Sequence, residues 1–174
     1  MPKIILDASG IQKALQTIAD TLCARPHDGP FAVVGVRRGG EYLAQRLAKL
    51  IESRTQSKPP AGVVDITLYR DDGFGPHQWP TVGITKIPFE LPQYTVILVD
   101  DVLFTGRTTR AALDAILDYG RPRAVRLAVL VDRGWRELPI QADAVGLTLS
   151  TAADQHVDVQ LTESGAQADA VVVA

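Results

Sequence analysis

The stretch Val96 to Arg110, V-I-L-V-D-D-V-L-F-T-G-R-T-T-R, decides the fold. Its first four residues, Val96, Ile97, Leu98 and Val99, form an unbroken apolar run, the pattern of a strand buried on both faces of a parallel sheet. Two acids, Asp100 and Asp101, follow where such a strand would leave the sheet. Thr105-Gly106-Arg107-Thr108-Thr109 then leads into A-A-L-D-A-I-L-D-Y, a helical pattern. A loop between a strand's carboxyl end and a helix's amino end is where open α/β sheets bind ligands. N–H groups left free at a helix start favour an anion such as phosphate. Gly106 lets that backbone come close, and three threonines offer hydroxyls. The two carboxylates repel phosphate, so they should face hydroxyl groups or a metal. A ligand with a phosphate at one end and a diol nearby is a ribose 5-phosphate.

The same design recurs upstream. Phe31 to Val36, F-A-V-V-G-V, reads as a buried strand, and Arg37-Arg38-Gly39-Gly40 follows it. A helix then begins, with Leu43, Leu47, Leu50 and Ile51 on its buried side. Arginine forks suit phosphate oxygens, and glycines admit close backbone approach. The bland reading is a solvated basic turn before a helix; a second phosphate-type loop at a parallel-strand end favours function. A third strand, Val125 to Val131, ends in Asp132-Arg133-Gly134-Trp135-Arg136-Glu137-Leu138-Pro139, a charged loop with an aromatic, placed to frame whatever reacts with the sugar.

Around these units the chain is conventional. Ile4, Ile5 and Leu6 precede a helix that Asp7 and Ser9 can cap, with Ile11, Leu15, Ile18, Ala19 and Leu22 on one face. Pro26 to Pro30 breaks it, and His27 reads as solvated in that turn. Ser53 to Pro60 reads as a polar loop. Val63 to Tyr69 partly alternates, a strand signal, and Thr81 to Ile87 reads as a returning strand. Between them Arg70 to Pro80, R-D-D-G-F-G-P-H-Q-W-P, has no periodicity and an exposed pair, Phe74 and Trp79. That segment reads as a lid, as a hairpin tip, or as a two-stranded flap with a mobile tip in which His77 faces solvent. The helix after the central strand uses Ala111, Ala112, Ala115, Ile116 and Tyr119 and stops at Gly120. Ala144 to Leu149, His156 to Leu161 and Asp169 to Ala174 read as further strands, the second of them an edge strand.

At 174 residues the chain is expected to be one domain, residues 1–174. A net charge of −2 and a pI near 5.9 give no global positive field for nucleic acid. The single cysteine, Cys23, lies on an apolar helix face and reads as a small hydrophobe. No apolar run reaches the roughly 18 residues of a membrane span, and no signal-peptide core is present, so a cytoplasmic location without membrane partners is expected.

A 5-phosphate site, a diol site and a second phosphate loop call for phosphoribosyl diphosphate (PRPP). Losing diphosphate from the anomeric carbon builds positive charge on the ribose ring. Asp100 and Asp101 would hold the 2- and 3-hydroxyls and favour that cation. The Thr105–Thr109 loop would clamp the 5-phosphate, and Arg37 and Arg38 would neutralise the leaving diphosphate with Mg2+ bridging its oxygens. A closing flap would exclude water.

V-D-D-V-L-F-T-G-R-T resembles the PRPP-binding signature of type I phosphoribosyltransferases. Together with D-I-T-L-Y-R-D-D, A-L-D-A-I-L-D-Y-G-R-P, L-A-V-L-V-D-R-G and R-E-L-P-I, it resembles the PyrR family from about Ile11 to Gly146. Members are pyrimidine-operon attenuators that bind mRNA and are also uracil phosphoribosyltransferases. The resemblance implies an α/β type I fold, a mainly parallel sheet flanked by helices with a flexible flap and a small hood, in a homodimer or homotetramer. It implies uracil plus PRPP giving UMP and diphosphate, with Mg2+ carried by PRPP rather than by a firm protein ligand. Val96, Ile97, Leu98, Val99, Asp100, Asp101, Val102, Leu103, Phe104, Thr105, Gly106, Arg107 and Thr108 then fall on the PRPP-binding segment. Arg37, Arg38 and Gly39 fall on the diphosphate loop, and Arg70, Asp71 and Asp72 on the flap. Arg133, Gly134 and Trp135 fall in the uracil-binding region, and Asp100, Asp101 and Arg133 are the candidate catalytic residues.

Several positions depart from the family. Its G-I-[RK]-T-R-G loop reads Gly35-Val36-Arg37-Arg38-Gly39-Gly40, keeping two arginines but moving one. Its G-H-R-E-L-P-I-R reads Gly134-Trp135-Arg136-Glu137-Leu138-Pro139-Ile140-Gln141, its G-K-N reads Gly146-Leu147-Thr148, and Asp20 stands where histidine is common. These lost basic positions lie where the RNA-binding face is expected, and each phosphate contact removed weakens RNA binding. RNA is therefore a disfavoured partner, unless other residues such as Arg121 and Arg123 form a variant face. Two alternatives stand beside the enzyme: an RNA-binding regulator with little catalysis, and a phosphorelay receiver. The receiver fits poorly, because its acidic pair follows its first strand and is not followed by T-G-R-T.

Overall fold

The computed structural model describes residues 2–25, 29–76 and 79–174; the turn residue His27 and the flap residue His77 lie outside them. Among the described residues, eight strands and three α-helices occur in the order β1 (Lys3–Asp7), α1 (Ala8–Cys23), β2 (Phe31–Val36), α2 (Gly39–Thr55), β3 (Ala61–Val64), β4 (Thr95–Leu103), α3 (Arg107–Leu117), β5 (Ala124–Asp132), β6 (Ala144–Thr148), β7 (Val157–Gln160) and β8 (Ala170–Val173). Five strands make a parallel sheet in the order β3-β2-β4-β5-β6. The other three make a small antiparallel sheet, β1-β8-β7. The expected parallel sheet, flanking helices and hood are all present.

The unbroken apolar runs have a direct cause. Val33, Ile97, Val99, Ala128 and Leu130 face α1 and α2, within one buried cluster that also holds Ile11, Leu43 and Leu47. Their neighbours Val34, Val96, Leu98, Leu127 and Val129 face α3, packing with Ala111, Ala112, Ala115 and Ile116. Alternation across the pleat thus needs apolar residues at both parities. Each fully buried side chain of this size contributes about 1.5–3 kcal/mol of transfer free energy. β4 is central in position as well as in sequence, paired on both sides.

Side-chain chemistry sets the helix ends. Asp7 accepts the Gly10 N–H at 2.8 Å and the Ser9 hydroxyl at 2.8 Å, capping α1. Gly106, at φ +91°, opens α3. That conformation disfavours a Cβ, and one added there would also lie 3.0 Å from Ile140.

Several sequence expectations are corrected. Asp100 and Asp101 do not follow β4 but lie within it. The long β5 keeps pairing with β4 out to Leu103 opposite Asp132, so the strand ends four residues later than the apolar run. Val63–Tyr69 is not one strand. Asp65 turns its carboxylate onto the Thr67 N–H at 3.0 Å and ends β3 at Val64. Thr67–Tyr69 is a 3-10 turn, and Leu68 is exposed. Thr81–Ile87 forms only one antiparallel bridge, Val63 with Lys86. Its polar groups bond elsewhere: the Ile84 carbonyl accepts Arg37 Nε at 3.0 Å, and the Thr85 hydroxyl accepts the Asp65 N–H at 3.0 Å. Among the described residues, therefore, no two-stranded flap is formed. α2 runs three residues into the expected loop, from Ser53 to its end at Thr55. α3 ends at Leu117, which leaves Tyr119 exposed.

Candidate active site

Three loops meet at the carboxyl edge of the parallel sheet. They follow β2 (Arg37–Gly40), β4 (Phe104–Gly106) and β5 (Arg133–Pro139). The first crosses directly over β4. A Cβ at Gly39 would overlap the Asp101 carboxylate, and one at Gly40 would overlap the Val99 carbonyl. Both glycines are therefore dictated by close approach, and the acid pair lies beneath the Arg-Gly loop. The Arg37–Arg38 peptide is cis. Arg37 is held by Glu41 at 3.5 Å and by the Ile84 carbonyl, while Arg38 is exposed.

The two acids differ. Asp100 is buried, and its Oδ1 accepts the Asp101 N–H at 2.9 Å. Burial, and then the neighbouring Asp101 charge, push its carboxyl well above the ordinary range, so the neutral form is favoured. Asp101 is partly exposed and accepts its own neighbour's N–H, from Val102, at 2.8 Å. It also lines a cavity of about 500 Å³ together with Val102, Phe104, Arg133 and the segment Ala153–Val159. That segment enters β7 of the hood, so the cavity lies between the two sheets.

The β5 loop forms the cavity's second wall. Arg133 is 6% exposed. Its guanidinium lies 4.0 Å from the Phe104 ring centroid and donates to the Thr151 hydroxyl at 3.1 Å and the Ala152 carbonyl at 3.0 Å. Its charge is thus stacked and hydrogen-bonded, as burial of a guanidinium requires. Gly134 and Trp135 both take positive φ, and Trp135 Nε1 donates to the Thr151 carbonyl at 2.9 Å.

Between the flap and the β4 loop lies a cleft of about 150 Å³ lined by Arg70, Asp71, Asp72, Thr105, Arg107 and Thr108. Arg107 bridges it, paired with Asp71 at 2.8 Å and Glu137 at 2.7 Å. Arg70 pairs with Asp72. The α3 amino end, with glycine at the cap position, turns its first N–H groups toward this loop. Another cavity of about 500 Å³ opens near Pro30, Thr55, Lys58 and Tyr94, where β2 and β4 begin. Its lining among the described residues has no carboxylate, so it lacks the acid–anion pairing of the opposite edge.

The candidate residues are brought together in part, in two groups, while Arg37, Arg38, Gly106, Gly134 and Trp135 line neither cavity. Asp101, Val102, Phe104 and Arg133 surround the large cavity, with Gly39 packed against Asp101. Thr105, Arg107 and Thr108 face Arg70–Asp72 across the smaller cleft. Val96 to Val99 sit in the sheet core beneath, and Leu103 is buried too. They support the site without lining it. Sequence reading did not single out Gln155, His156 and Asp158, which line the large cavity. The only signal was the alternation of the edge strand, which exposes a polar face without saying what it faces.

Among the described residues no group of three or more His, Cys, Asp or Glu side chains is arranged to hold a metal ion. Nor is any described helix long and apolar enough to cross a membrane.

A family model for the phosphoribosyl transferase domain matches residues 3–164. Among curated relatives, the bifunctional protein PyrR of Syntrophobacter fumaroxidans is 47% identical over 162 residues, covering 92% of this chain and 87% of the relative. That of Desulfosudis oleivorans is 50% identical over 171 residues, covering 97% and 94%. Among solved structures, the hypoxanthine phosphoribosyltransferase of Trypanosoma cruzi superposes with a TM-score of 0.72 at 16% identity, covering 98% of this chain and 95% of the other, a likeness of fold.

Proposed function

The chain belongs to the phosphoribosyl transferase family and to its PyrR members, and from that premise we propose that it converts uracil and PRPP to UMP and diphosphate. One observation carries this reading. The partly exposed acid Asp101 lies beneath an Arg-Gly loop and lines a cavity walled by a buried, stacked arginine.

In this reading the 5-phosphate rests on the Thr105–Thr108 backbone at the start of α3. Asp101 accepts from a ribose hydroxyl. Asp100, whose charged form burial disfavours, completes the polar floor beneath. As the C1–O bond to diphosphate lengthens, positive charge grows on the ribose, and the Asp101 carboxylate stabilises it at short range in a partly desolvated site. As the base nitrogen forms its bond to C1, it gives up its proton to the departing diphosphate, which leaves toward Arg37 and Arg38. Arg133, with Phe104 stacked on it, forms the wall against which the base lies, and Gly134 and Trp135 shape its rim. Among the described residues no cluster of ligating side chains would cage Mg2+, so it would be carried by PRPP, with the partly exposed Asp101 carboxylate the residue that could help hold it. When bound it neutralises leaving-group charge.

For RNA we infer a weakened face. Asp20 pairs with Arg54 at 2.5 Å, and Arg25 pairs with Asp143 at 3.3 Å. Two arginines near the α1 surface are thus neutralised internally, and fewer cations remain to displace counterions from a phosphate backbone. Attenuation by mRNA binding is the second reading. Assembly into a homodimer or homotetramer and a cytoplasmic location belong to the same proposal.

The test is PRPP-dependent consumption of a panel of bases: uracil, orotate, hypoxanthine and guanine side by side. Turnover of uracil alone is expected. Turnover of a purine in preference to uracil would overturn the assignment of the base. Tight, salt-sensitive and UMP-stimulated binding of a pyrimidine-leader hairpin would overturn the view of a weakened RNA face.

A further inference from the structure

Arg136 is absent from the groups that line either cavity, yet it makes more hydrogen bonds to the loops around them than any other side chain described here. Its Nε donates to the Ile140 carbonyl at 2.9 Å. Its Nη1 donates to the Phe104 carbonyl at 2.9 Å and the Gly134 carbonyl at 3.2 Å. Its Nη2 donates to Asp132 Oδ2 at 2.6 Å, and the other oxygen of that carboxylate accepts the Gly134 N–H at 3.0 Å. These acceptors belong to separate pieces of the site. Phe104 begins the loop that leads to the α3 amino end. Asp132 ends β5, Gly134 lies at the bend of the next loop, and Ile140 is where that loop returns, against Gly106. The loop is thus wrapped around one guanidinium, which is tied in turn to the neighbouring strand's loop. The Thr105 carbonyl reinforces the same join by accepting the Glu137 and Leu138 N–H groups at 2.9 and 3.1 Å.

We propose that Arg136 is a positioning residue that fixes the separation between the phosphate-binding β4 loop and the base-binding β5 loop. The proposal rests on the phosphoribosyltransferase reading of those two loops. Its chemical basis is the planar fork of arginine, whose five N–H donors point in fixed directions. A lysine keeps the charge but reaches from one point, so it cannot bond Phe104 and Ile140 at once. A ligand that touches both loops depends on their separation, whereas a ligand that touches only one does not. Misplacement of about 1 Å between reacting groups is enough to cost about a hundredfold in rate.

The test compares two probes on the full chain by calorimetric titration. UMP spans both loops, and ribose 5-phosphate engages only the phosphate loop. In Arg136→Lys the dissociation constant of UMP is expected to rise at least about tenfold, while that of ribose 5-phosphate changes less than about threefold. The same variant should lower kcat/KM for both uracil and PRPP, with a larger loss in Arg136→Met. Asp132→Asn loosens the same guanidinium from its anionic side and serves as the second variant if Arg136→Lys does not fold; it should show the same selective loss of UMP. Equal weakening of both probes would mean local damage to the phosphate loop and would overturn the proposal, as would unchanged binding of both. Failure of the wild-type chain to bind ribose 5-phosphate would instead overturn the reading of the phosphate loop, and this proposal with it.

Discussion

Gly39 rests directly on the Asp101 carboxylate: a Cβ built at position 39 would lie 2.8 Å from Asp101 Cγ and closer still to Oδ2. The Arg-Gly loop and strand β4, far apart in the chain, therefore share one volume. Gly39→Ala must push either the Arg-Gly loop or the carboxylate aside. The expected result is a drop of at least about tenfold in kcat/KM for PRPP, with about 1–3 kcal/mol lost in stability from overpacking. Steady-state kinetics and urea unfolding of the same preparation check it. A stable variant with wild-type kcat/KM would show that the Arg-Gly loop and the Asp101 carboxylate are not mechanically linked.

Asp101→Asn keeps the shape of the side chain and an oxygen for the Val102 N–H. It removes the charge that the proposed cationic transition state needs. Turnover with uracil and PRPP should fall about 100- to 1,000-fold, the range seen when one preorganised electrostatic group is deleted. Stability should shift by no more than about 1 kcal/mol, since the group is partly exposed. Unchanged turnover would remove Asp101 from the site.

Asp100 predicts a pH dependence of stability. Its folded carboxyl titrates above its ordinary value of 3.8, because burial and Asp101 disfavour the anion. Ionising it in the folded chain is therefore unfavourable. The penalty is nil below pH 3.8, grows as pH rises toward the folded value, and is constant beyond it. Asp100→Asn, which retains an acceptor for the Asp101 N–H, should be more stable than wild type at pH 7 and equal to it near pH 4. Thermal melts at the two pH values check this. A variant less stable than wild type at pH 7 would mean that the carboxyl is ionised and paired.

These effects trace which features the sequence could disclose. The buried strands were legible because they face helices on both sides, so Val96 to Val99 carry no polar break. The β4 loop was legible because glycine and threonines at a strand-to-helix junction have a local chemical meaning. What escaped depended on partners distant in the chain. The end of β4 is set by the length of β5, which the run from Val96 cannot register. The alternation of Val63 to Tyr69 was genuine, but the Asp65 carboxylate captured the Thr67 N–H and broke the strand. Arg136 reads as one charge among several in a polar loop, and only folding collects its acceptors around it.

Asp71 predicts the behaviour of the flap. Its carboxylate bonds Arg107, which also holds Glu137, and pairs with Arg110 at 3.6 Å, so the flap is tied to α3 and, through Arg107, to the β5 loop. The Asp71, Arg107 and Glu137 side chains are well exposed, so the tie is weak and sensitive to salt. Asp71→Asn should leave the melting temperature nearly unchanged but speed trypsin cleavage at Arg70 several-fold at low salt. Wild type should approach the variant's rate as salt is raised. Equal rates at low salt would show that the pairing does not restrain the flap.

Arg46 ties the hood to the main domain. From α2 its Nε donates to Glu163 Oε1 at 2.8 Å, and its Nη1 donates to Asp169 Oδ2 at 2.5 Å. The Asp169 carboxylate also accepts the Thr162 N–H at 2.8 Å, which fixes the turn before β8. Hydrogen bonds from Arg46 hold both carboxyls below their ordinary values of 4.5 and 3.8. A lowered folded value means that the stabilisation is complete above the ordinary value and is lost as pH falls through the folded one. Arg46→Met keeps most of the apolar stem and removes the bonds. It should cost about 1–2 kcal/mol at pH 7, the range for charged hydrogen bonds after discounting for partial exposure. At pH 3, below both ordinary values, the gap between wild type and variant should shrink markedly, because the unfolded chain takes up protons that the folded ion pairs disfavour. Urea unfolding at the two pH values measures both gaps. A gap of the same size at pH 3 would assign the stabilisation to the packing of the Arg46 stem rather than to its ion pairs.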